Sequence, residues 1–262
     1  MPNPPVPPLF SVVTICYNAE NTLQDTIDSV AAQKSVSLEH IIIDGGSNDN
    51  TMEIVNAQRK KFSTVISEPD NGVYDAMQKG LLQAKGQFTG FLNADDFFAS
   101  DLALYKLSKP LENTEKEIIG LTGALDQINE DGKVTRKIGK RAFTEKDLKW
   151  GGFPAHPTTY FKTSLMKKTS GFDNSFQISG DFDMFLKMFE KIKTSPNATI
   201  GHVDDIIVKM RIGGISTGGY KSYLTIGRES ARALSDNGYP ANHLLIQLRG
   251  FRKILELITW LA

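Results

Sequence analysis

Short apolar runs alternate with amphipathic stretches along the first half of the chain. Ser11–Tyr17 and Ile41–Ile43 are apolar or β-branched, which is typical of buried strands. Between them, apolar residues recur at helical spacing from Leu23 to Ala31, so the pattern predicts a helix that ends near Gln33. This alternation favours parallel strands joined by right-handed crossovers, and the sequence therefore predicts an α/β fold.

The alternation continues through the next fifty residues. Thr51–Lys61 and Val73–Lys85 are predicted helices, with a short strand at Val65–Ile66 between them. A further strand lies in Gln87–Phe98 (QFTGFLNADDFF), where the apolar run stops abruptly at Asn93-Ala94-Asp95-Asp96. Adjacent carboxylates at the end of a buried strand are costly to desolvate without positive charge, and a divalent cation that carries phosphates supplies it. A solvated acidic turn is the alternative.

Polar residues follow several of these predicted strands directly. In parallel α/β sheets, ligands bind outside the carboxyl ends of the strands, so we expect these side chains to converge on one edge of the sheet. The residues concerned are Tyr17, Asn18, Glu20, Asp44, Asn93, Asp95 and Asp96.

The second half of the chain has a less regular pattern. Ile118–Ile128 and Val134–Ile138 flank a predicted hairpin turn, and the Gly- and Pro-rich Trp150–Pro157 (WGGFPAHP) predicts an ordered loop. A helix is predicted over Asp181–Lys191 and a strand over Ile206–Ile212. No shift in composition marks a domain boundary before about residue 216.

Composition excludes several classes of protein. Among the 262 residues, 30 basic residues balance 30 acidic ones, which leaves no basic excess for nucleic acid. The single cysteine, Cys16, allows no internal disulfide, and the four histidines are too scattered for a zinc site. No apolar run is long enough for a transmembrane helix. Residues 1–9 form a Pro-rich lead-in without the features of a secretion signal, so a cytoplasmic location is expected.

Five motifs occur in a recognisable order. They are TICYNAE, IIIDGGSNDNT, SEPDNGVYDAMQKGLLQAKGQFTGFLNADD, GFD and SGDFDMFLKM. In this order and spacing they resemble the motifs of glycosyltransferase family 2, over about residues 10–216. The resemblance implies a GT-A domain, with a mixed, mainly parallel sheet flanked by helices, and leaves residues 217–262 as a helical C-terminal extension. It also implies transfer from a nucleotide-diphosphate sugar, here a UDP-sugar, with inversion of the anomeric centre.

The resemblance assigns roles to residues that would bind the nucleotide. Asp44 matches the aspartate that accepts a hydrogen bond from the uracil N–H, a role that suits an acceptor-only side chain. An Asx turn that opens the following loop is the alternative for Asp44. The other positions that the resemblance places near the base, the ribose or the rest of the nucleotide are Thr14, Tyr17, Glu20, Gly72 and Asp75.

Asn93-Ala94-Asp95 stands in place of the family's D-x-D motif. By this match Asp95 would bind Mg²⁺ or Mn²⁺, which bridges the diphosphate and offsets charge on the departing nucleotide. Asn93 replaces the first aspartate and is left to bond the ribose or a metal-bound water, while Asp96 would support the metal site from behind. Arg211 and the turn at residues 213–216 are expected to close over the diphosphate.

An inverting transfer needs a base that takes the proton of the acceptor hydroxyl. The family supplies this base from a Glu-Asp pair that opens a helix. Here the pair reads Gly180-Asp181, so the glutamate is missing and Asp181 matches the base. Capping of the helix is the alternative role of Asp181, and Asp183 is the second candidate base. His156 lies where the family's loop lines the acceptor side, with a structural hydrogen bond as its alternative.

Two other functions fit parts of the sequence. Ser216 lies in a G-x-S-x-G pattern, with Asp236 and His243 after it in hydrolase order. However, His243 follows Ser216 by only 27 positions, which is too short for an α/β-hydrolase. The other alternative is a nucleotide-sugar-binding module that has lost catalysis, a reading suggested by Asn93 and Gly180.

The tail of the chain has its own pattern. Residues 243–262 (HLLIQLRGFRKILELITWLA) place apolar residues on one helical face and Arg249, Arg252 and Lys253 towards the other. This is typical of a helix that lies at a membrane surface, and a helix docked on the core or on a partner chain is the alternative. Peripheral attachment at the inner face of the membrane would suit a glycan or lipid-linked acceptor, a hypothesis that vesicle co-sedimentation tests. An oligomer is left open.

Overall fold

Four parallel strands form the first half of the sheet. The computed structural model describes residues 6–112, 114–148, 151–213, 220–241 and 246. The four strands are β1 (Phe10–Cys16), β2 (Leu38–Asp44), β3 (Thr64–Ser67) and β4 (Phe88–Phe91). They lie in the order β3-β2-β1-β4 with all pairs parallel. Every residue of β1 is buried, as expected for a central strand that is covered on both faces.

The first three helices are amphipathic and pack on this parallel half. They are α1 (Leu23–Ala31), α2 (Thr51–Ala57) and α3 (Val73–Gln83). On α1 the buried apolar residues Leu23, Ile27 and Val30 follow the helical period that the sequence shows. α3 approaches the sheet closely at Gly80, where a Cβ atom would lie 2.3 Å from a methyl carbon of Val13. A glycine at this position therefore lets the helix lie directly on β1.

The second half of the sheet mixes parallel and antiparallel pairs. Its strands are β5 (Phe97–Phe98), β6 (Glu117–Ile128), β7 (Val134–Ile138), β8 (Tyr160–Lys162) and β9 (Ala198–Arg211). β8 pairs antiparallel with both β4 and β6, and β9 runs parallel to β6. β5 and β7 add antiparallel to β9 and β6. The result is a mixed α/β sheet with helices on its faces, which is the predicted fold class.

The long strand β9 differs from the sequence-based prediction. It begins at Ala198 and not at the predicted Ile206. The first half of β9 is mostly half-exposed or exposed, with Asp204 and Asp205 open to solvent, and its register against β6 shifts near Thr122. An irregular, partly solvated strand lacks the continuous apolar run on which the prediction relied.

The remaining helices cover the second half of the sheet. They are α4 (Ala103–Ser108), α5 (Glu145–Leu148), α6 (Thr163–Met166), α7 (Gly180–Thr194) and α8 (Tyr220–Asp236). α8 shares a core cluster with α7, and the buried side chain of Ile246 belongs to the same cluster. The rest of the predicted tail helix at 243–262 lies outside the described residues, as do residues 1–5 of the lead-in. Within the described ranges, no helix is long and apolar enough to cross a membrane.

Thr14, which the resemblance placed near the base and ribose, lies in the interior of the sheet. Its side chain is fully buried, and its hydroxyl lies 2.9 Å from Nε2 of the buried His40 on β2. Side chains alternate between the two faces of a strand, and that of Thr14 lies on the face where it meets His40. The Thr14 side chain is therefore a partner of His40 and does not line a nucleotide site.

Burial of His40 makes the stability of the fold depend on pH. Burial, with a smaller contribution from the charge of Lys61, lowers the pKa of His40 from 6.5 to about 3. Between these values the unfolded chain binds a proton that the folded chain does not, so the free energy of unfolding falls as the pH falls from 6.5 towards 3.

We expect His40→Gln, which keeps a hydrogen-bonding partner for Thr14, to remove this dependence. From pH 7.5 to pH 5 the wild type should lose about 2 kcal/mol more unfolding free energy than the variant, because the unfolded-state proton is absent in the variant. Urea unfolding at both pH values measures the difference. Parallel losses in the two proteins would contradict the prediction.

Candidate active site

The carboxyl ends of β2, β1 and β4 meet at one edge of the sheet. Asp44, the last residue of β2, pairs with Cys16 at the end of β1. Leu92, just after β4, donates its backbone N–H to the carbonyl oxygen of Val13 on β1, and Ala94 packs in a core cluster with Cys16. Asp44 and the acidic turn after β4 therefore lie at the same edge, with β1 between them.

Asp44 is fully buried, and both of its carboxylate oxygens accept local hydrogen bonds. Oδ1 accepts from the backbone N–H and the hydroxyl of Ser47, and Oδ2 accepts from the N–H of Gly46 at 3.2 Å and the hydroxyl of Ser67 at 2.7 Å. This is the Asx-turn alternative, in which the side chain shapes the loop that follows β2. The role that the resemblance assigned to Asp44, acceptance from the uracil N–H, does not fit a carboxylate whose acceptor sites are used and whose surface is enclosed.

The loops after β1 and β2 hold each other in place. The carboxylate of Glu20 accepts hydrogen bonds from the backbone N–H and the side-chain amide of Asn50, at 3.0 and 2.8 Å. Asn18, which has a positive φ of 49°, accepts from the backbone N–H of Asn48. Tyr17 stands between these contacts with 61% of its surface exposed, an unusual exposure for a large aromatic side chain. Glu20 thus links the loops after β1 and β2, and the ring of Tyr17 is exposed to solvent.

Gly72 and Asp75 lie at the start of α3, after the loop that follows β3. Gly72 has a φ of 109°, a conformation that glycine adopts without strain, and a Cβ atom here would point into open space. Asp75 accepts from the N–H of Asn71 at 3.0 Å and lies 3.5 Å from the ammonium group of Lys79. These contacts stabilise the turn that precedes the helix, and the space beside the Cα atom of Gly72 is open.

The turn after β4 places two carboxylates in a poorly solvated setting. The N–H of Asp96 donates to the carbonyl oxygen of Asn93 at 3.1 Å and so closes the turn. Burial raises the pKa of Asp95, and burial together with the charge of Asp95 raises the pKa of Asp96 well above its usual value. Oδ2 of Asp96 is buried without a hydrogen-bond partner among the described residues. The turn therefore holds more negative charge than its protein partners offset.

Arg211, at the end of β9, lies against the back of this turn. Its backbone N–H donates to Oδ1 of Asp96 at 3.2 Å, and its guanidinium donates to the carbonyl oxygen of Asp95 at 2.9 Å. The guanidinium also pairs with Asp25 on α1 and lies over the ring of Phe97 at 4.8 Å. Arg211 thus supports the acidic turn from behind, whereas the sequence led us to expect that it closes over a diphosphate. Residues 214–216 of the predicted closing turn lie outside the described residues.

The acidic turn fits a divalent cation by its donor chemistry. Two adjacent carboxylates with raised pKa values, one with an unpartnered oxygen, are hard ligands that gain stability from positive charge. No group of three metal-ligating side chains occurs in the described part of the chain. A site of this kind suits Mg²⁺ or Mn²⁺ held by one or two carboxylates, with the remaining ligands from phosphate oxygens and water.

The first turn of α7 explains the missing glutamate at position 180. The ring of Tyr74 lies against Gly180, where a Cβ atom would be 2.9 Å from three ring carbons. The backbone at Gly180 and Asp181 also hydrogen-bonds the Tyr74 hydroxyl, whose pKa is raised chiefly by burial. A glutamate would collide with this ring, so glycine is a packing requirement. The departure at position 180 therefore has a structural reason in the packing of Tyr74.

The two candidate bases on α7 differ in their surroundings. Asp181 is half-buried and lines a small cavity of about 20 Å³ together with His156. Asp183 is buried, with its carboxylate 2.7 Å from the ammonium group of Lys187 and accepting from the side-chain amide of Asn237 at 2.8 Å. A carboxylate enclosed in an ion pair is not available to a substrate hydroxyl, so Asp183 is excluded as the second candidate base.

Comparison with known proteins identifies the family. A family model described as "Glycosyl transferase family 2" matches residues 11–185. An uncharacterized glycosyltransferase of Mycobacterium tuberculosis is 32% identical over 184 residues, which span 69% of this chain and 68% of that protein. The chain belongs to glycosyltransferase family 2. The serine-hydrolase alternative loses its basis, and Ser216 itself lies outside the described residues.

Further relatives and solved structures agree with this membership. Chondroitin synthase of Pasteurella multocida is 28% identical over 185 residues, which cover 70% of this chain and 19% of that protein. Staphylococcus aureus TarS 1–349 in complex with UDP-GlcNAc has a TM-score of 0.64 at 17% identity, covering 90% of this chain and 70% of that one. Glucosyl-3-phosphoglycerate synthase of M. tuberculosis, in complex with Mn²⁺ and UDP, has a TM-score of 0.58 at 20% identity, covering 89% and 81%. The glycosyltransferase has the GT-A fold.

His156 lies behind the candidate base of this glycosyltransferase. Its ring stacks on Phe91 of β4 at 5.9 Å, and its Nε2 atom is buried without a hydrogen-bond partner among the described residues. Burial lowers the pKa of His156, and the charge of Asp181 partly opposes that shift. His156 is therefore a neutral side chain in the wall of the cavity that Asp181 also lines.

The loop that precedes α7 is held by a residue of α8 that the sequence did not reveal. Glu229 of α8 accepts hydrogen bonds from three consecutive backbone N–H groups, those of Gln177, Ile178 and Ser179, at 2.8 to 2.9 Å. These amides lie directly before α7 and Asp181. A glutamate on an amphipathic helix, fifty residues further along the chain, carries no sequence signal for this contact.

We expect Glu229→Ala to disturb the geometry at the start of α7. Loss of a charged acceptor for three amides should lower the unfolding free energy by about 1–3 kcal/mol. The transfer rate at saturating donor should fall at least about 10-fold, because small displacements of reacting groups are costly. Steady-state kinetics and urea unfolding measure the two effects.

Arg228→Ala, on the exposed neighbour of Glu229, is the matched control and should change neither quantity. Unchanged turnover in Glu229→Ala would show that the loop keeps its geometry without this carboxylate.

Proposed function

We propose that this glycosyltransferase moves a sugar from a UDP-sugar to an acceptor hydroxyl, with inversion, in the assembly of a polysaccharide or a lipid-linked glycan. The observation that carries the proposal is the acidic turn at Asp95 and Asp96, whose uncompensated charge lies at the same sheet edge as the exposed ring of Tyr17. A cation with a nucleoside diphosphate satisfies both features. Two relatives, a chondroitin synthase and a putative teichuronic acid biosynthesis glycosyltransferase, support a polysaccharide product.

The donor side of the proposed site has a separate task for each element. Asp95 would hold Mn²⁺ or Mg²⁺, with Asp96 and Arg211 fixing the turn behind it and Asn93 near the ribose. A bound divalent cation supplies charge that offsets the departing diphosphate. Tyr17 offers a face for the base, and the open space beside the Cα atom of Gly72 allows close approach of the nucleotide.

The acceptor side of the proposed site centres on Asp181. A half-buried carboxylate at the first turn of α7 is favoured by the helix dipole and keeps part of its surface exposed. The acceptor oxygen attacks the anomeric carbon as its proton passes to the Asp181 carboxylate, and the bond to the diphosphate breaks on the opposite face. His156 is neutral and lines the same cavity as Asp181.

Attachment to a membrane surface through residues 243–262 stays a prediction. The burial of Ile246 in the core cluster of α7 and α8 favours docking of at least this residue on the protein.

Removal of the Asp95 carboxylate tests the metal part of the proposal. We expect Asp95→Asn to weaken Mn²⁺-dependent binding of UDP and to lower turnover at least about 100-fold, since one charged ligand of the cation is lost. Because the pKa of Asp95 is raised, Mn²⁺ affinity of the wild type should increase as the pH rises through that range. Calorimetry with UDP, with and without Mn²⁺, reads binding independently of activity.

Asp101→Asn is the control for that variant, since Asp101 is a surface carboxylate paired with Lys34 at 2.7 Å. Full wild-type activity in excess chelator would reject the metal.

The assignment of the base is tested by Asp181→Asn. This variant should bind UDP with wild-type affinity and transfer sugar about 10²- to 10⁴-fold more slowly, because the amide cannot accept the proton. Single-turnover kinetics with saturating donor separate the chemical step from binding. A rate equal to that of the wild type would move the base to another residue.

A further inference from the structure

A second carboxylate lies beside the enclosed Asp44. An ideal Cβ atom on Gly45 would lie 2.4 Å from Oδ2 of Asp70 and 3.5 Å from a ring carbon of Tyr17. Asp70 belongs to the loop between β3 and α3, and it is half-buried. Three segments, after β1, β2 and β3, thus bring an aromatic ring and a carboxylate to one spot at the ligand-binding edge of the sheet.

The two oxygens of Asp70 have different surroundings. Oδ1 accepts a hydrogen bond from the backbone N–H of Gly72 at 2.9 Å, which fixes the orientation of the carboxylate. No residue of the described chain donates a hydrogen bond to Oδ2, the atom that occupies the space above Gly45. One oxygen is therefore structural, and the other is an oriented acceptor site.

We propose that Oδ2 of Asp70 accepts the imide N–H of a uracil whose ring lies against Tyr17, and that this contact selects a UDP-sugar donor. The inference rests on the proposed function and assigns its base specificity to a residue outside Asp44. A carboxylate has only acceptors to offer, so it matches a base edge with an N–H group. Tyr17 supplies an exposed aromatic face for the stacking of that base.

The use of Oδ1 by Gly72 favours uracil over cytosine and guanine. Cytosine presents a ring nitrogen without hydrogen where uracil has its imide N–H, so it would set one acceptor against another. Guanine presents two adjacent N–H donors, which suit a carboxylate with both oxygens free. Asp70 has one free oxygen, and that oxygen matches the single N–H of uracil.

Gly45 contributes to the proposed uracil site because its lack of a side chain leaves room for the carboxylate of Asp70. The φ of Gly45 is not in the left-handed region, so space decides whether a side chain fits. Gly45→Ala would place a methyl group 2.4 Å from Oδ2 of Asp70 and displace the carboxylate. We expect this variant to lose UDP affinity by a steric route, independently of the charge at position 70.

The central experiment is a comparison of Asp70→Asn with the wild type. Asparagine keeps a carbonyl oxygen for the N–H of Gly72 and replaces the free oxygen by an NH₂ group, so only the polarity at one atom changes. Calorimetry with UDP, CDP and GDP, each with Mn²⁺, should show a loss of about 10- to 100-fold in UDP affinity. The ratio of CDP to UDP affinity should rise, because the amide can donate to the cytosine ring nitrogen.

Glu68→Gln is the matched control, since Glu68 is an exposed carboxylate of the same loop paired with Lys79 at 2.9 Å. Its UDP affinity should equal that of the wild type. Thermal unfolding of each variant shows that the fold is intact, and Gly45→Ala tests the same contact if Asp70→Asn is unstable.

The outcomes separate this inference from the proposed function. Wild-type UDP affinity in both Asp70→Asn and Gly45→Ala, with transfer from UDP-sugars intact, would overturn the assignment of Asp70 and leave the proposed function standing. Tighter binding of GDP or CDP than of UDP by the wild type would overturn the base assignment. Absence of UDP binding in the wild type would overturn both.

Discussion

The structure of the site depends on the confinement of two neighbouring carboxylates in a turn that water reaches poorly. Asp96 is 1% exposed, its second oxygen has no described partner, and the charge of Asp95 lies directly beside it. Arg211 offsets this charge only in part, because its guanidinium reaches the Asp95 backbone and Asp25 and not the free carboxylate oxygen. A protein interior tolerates such a pair when a ligand supplies the missing positive charge. The burial of this pair is therefore an energetic cost that the described residues offset only in part.

The distribution of hydrogen bonds separates structural carboxylates from those available to a ligand. Asp44 and Glu20 accept hydrogen bonds from backbone and side-chain donors of the loops at the sheet edge. Asp183 is buried in an ion pair with Lys187. Asp70 accepts a hydrogen bond from the loop at Oδ1, and its Oδ2 atom has no donor among the described residues. Side chains accept hydrogen bonds from backbone amides of the loops at the sheet edge and so fix the conformation of these loops. Polar atoms that are not used in these bonds are thereby held in a defined orientation.

Much of the donor side could be predicted from the sequence because its signals are local. Apolar runs locate the parallel strands, and the rule that ligands bind at strand carboxyl ends brings Asp44 and the acidic turn to one edge. Sequence reasoning failed where the answer depends on direction or on distant partners. Thr14 lies in β1, as the strand pattern predicts, but its side chain contacts His40 in the interior of the protein. The hydrogen bonds that enclose Asp44, from Gly46, Ser47 and Ser67, depend on the conformation of the loops, which the apolar pattern does not encode.

The acceptor side depends on contacts that lie beyond the region matched by the family model. That region ends at residue 185, whereas α8 begins at Tyr220. Glu229 of α8 nevertheless holds the three amides that precede Asp181, and Arg232 pairs with Asp173 in the same loop at 2.8 Å. The candidate base is thus positioned from two directions, by the ring of Tyr74 within the matched region and by α8 outside it.

The two sides of the site are held by separate contacts. The loops after β1 and β2 bond to one another, so a change there disturbs several hydrogen bonds at once. The start of α7 is held by α8, and a shift of α8 would move the loop before Asp181 without breaking the bonds between Arg211 and the acidic turn. The position of the candidate base can therefore change while the geometry of the acidic turn stays the same.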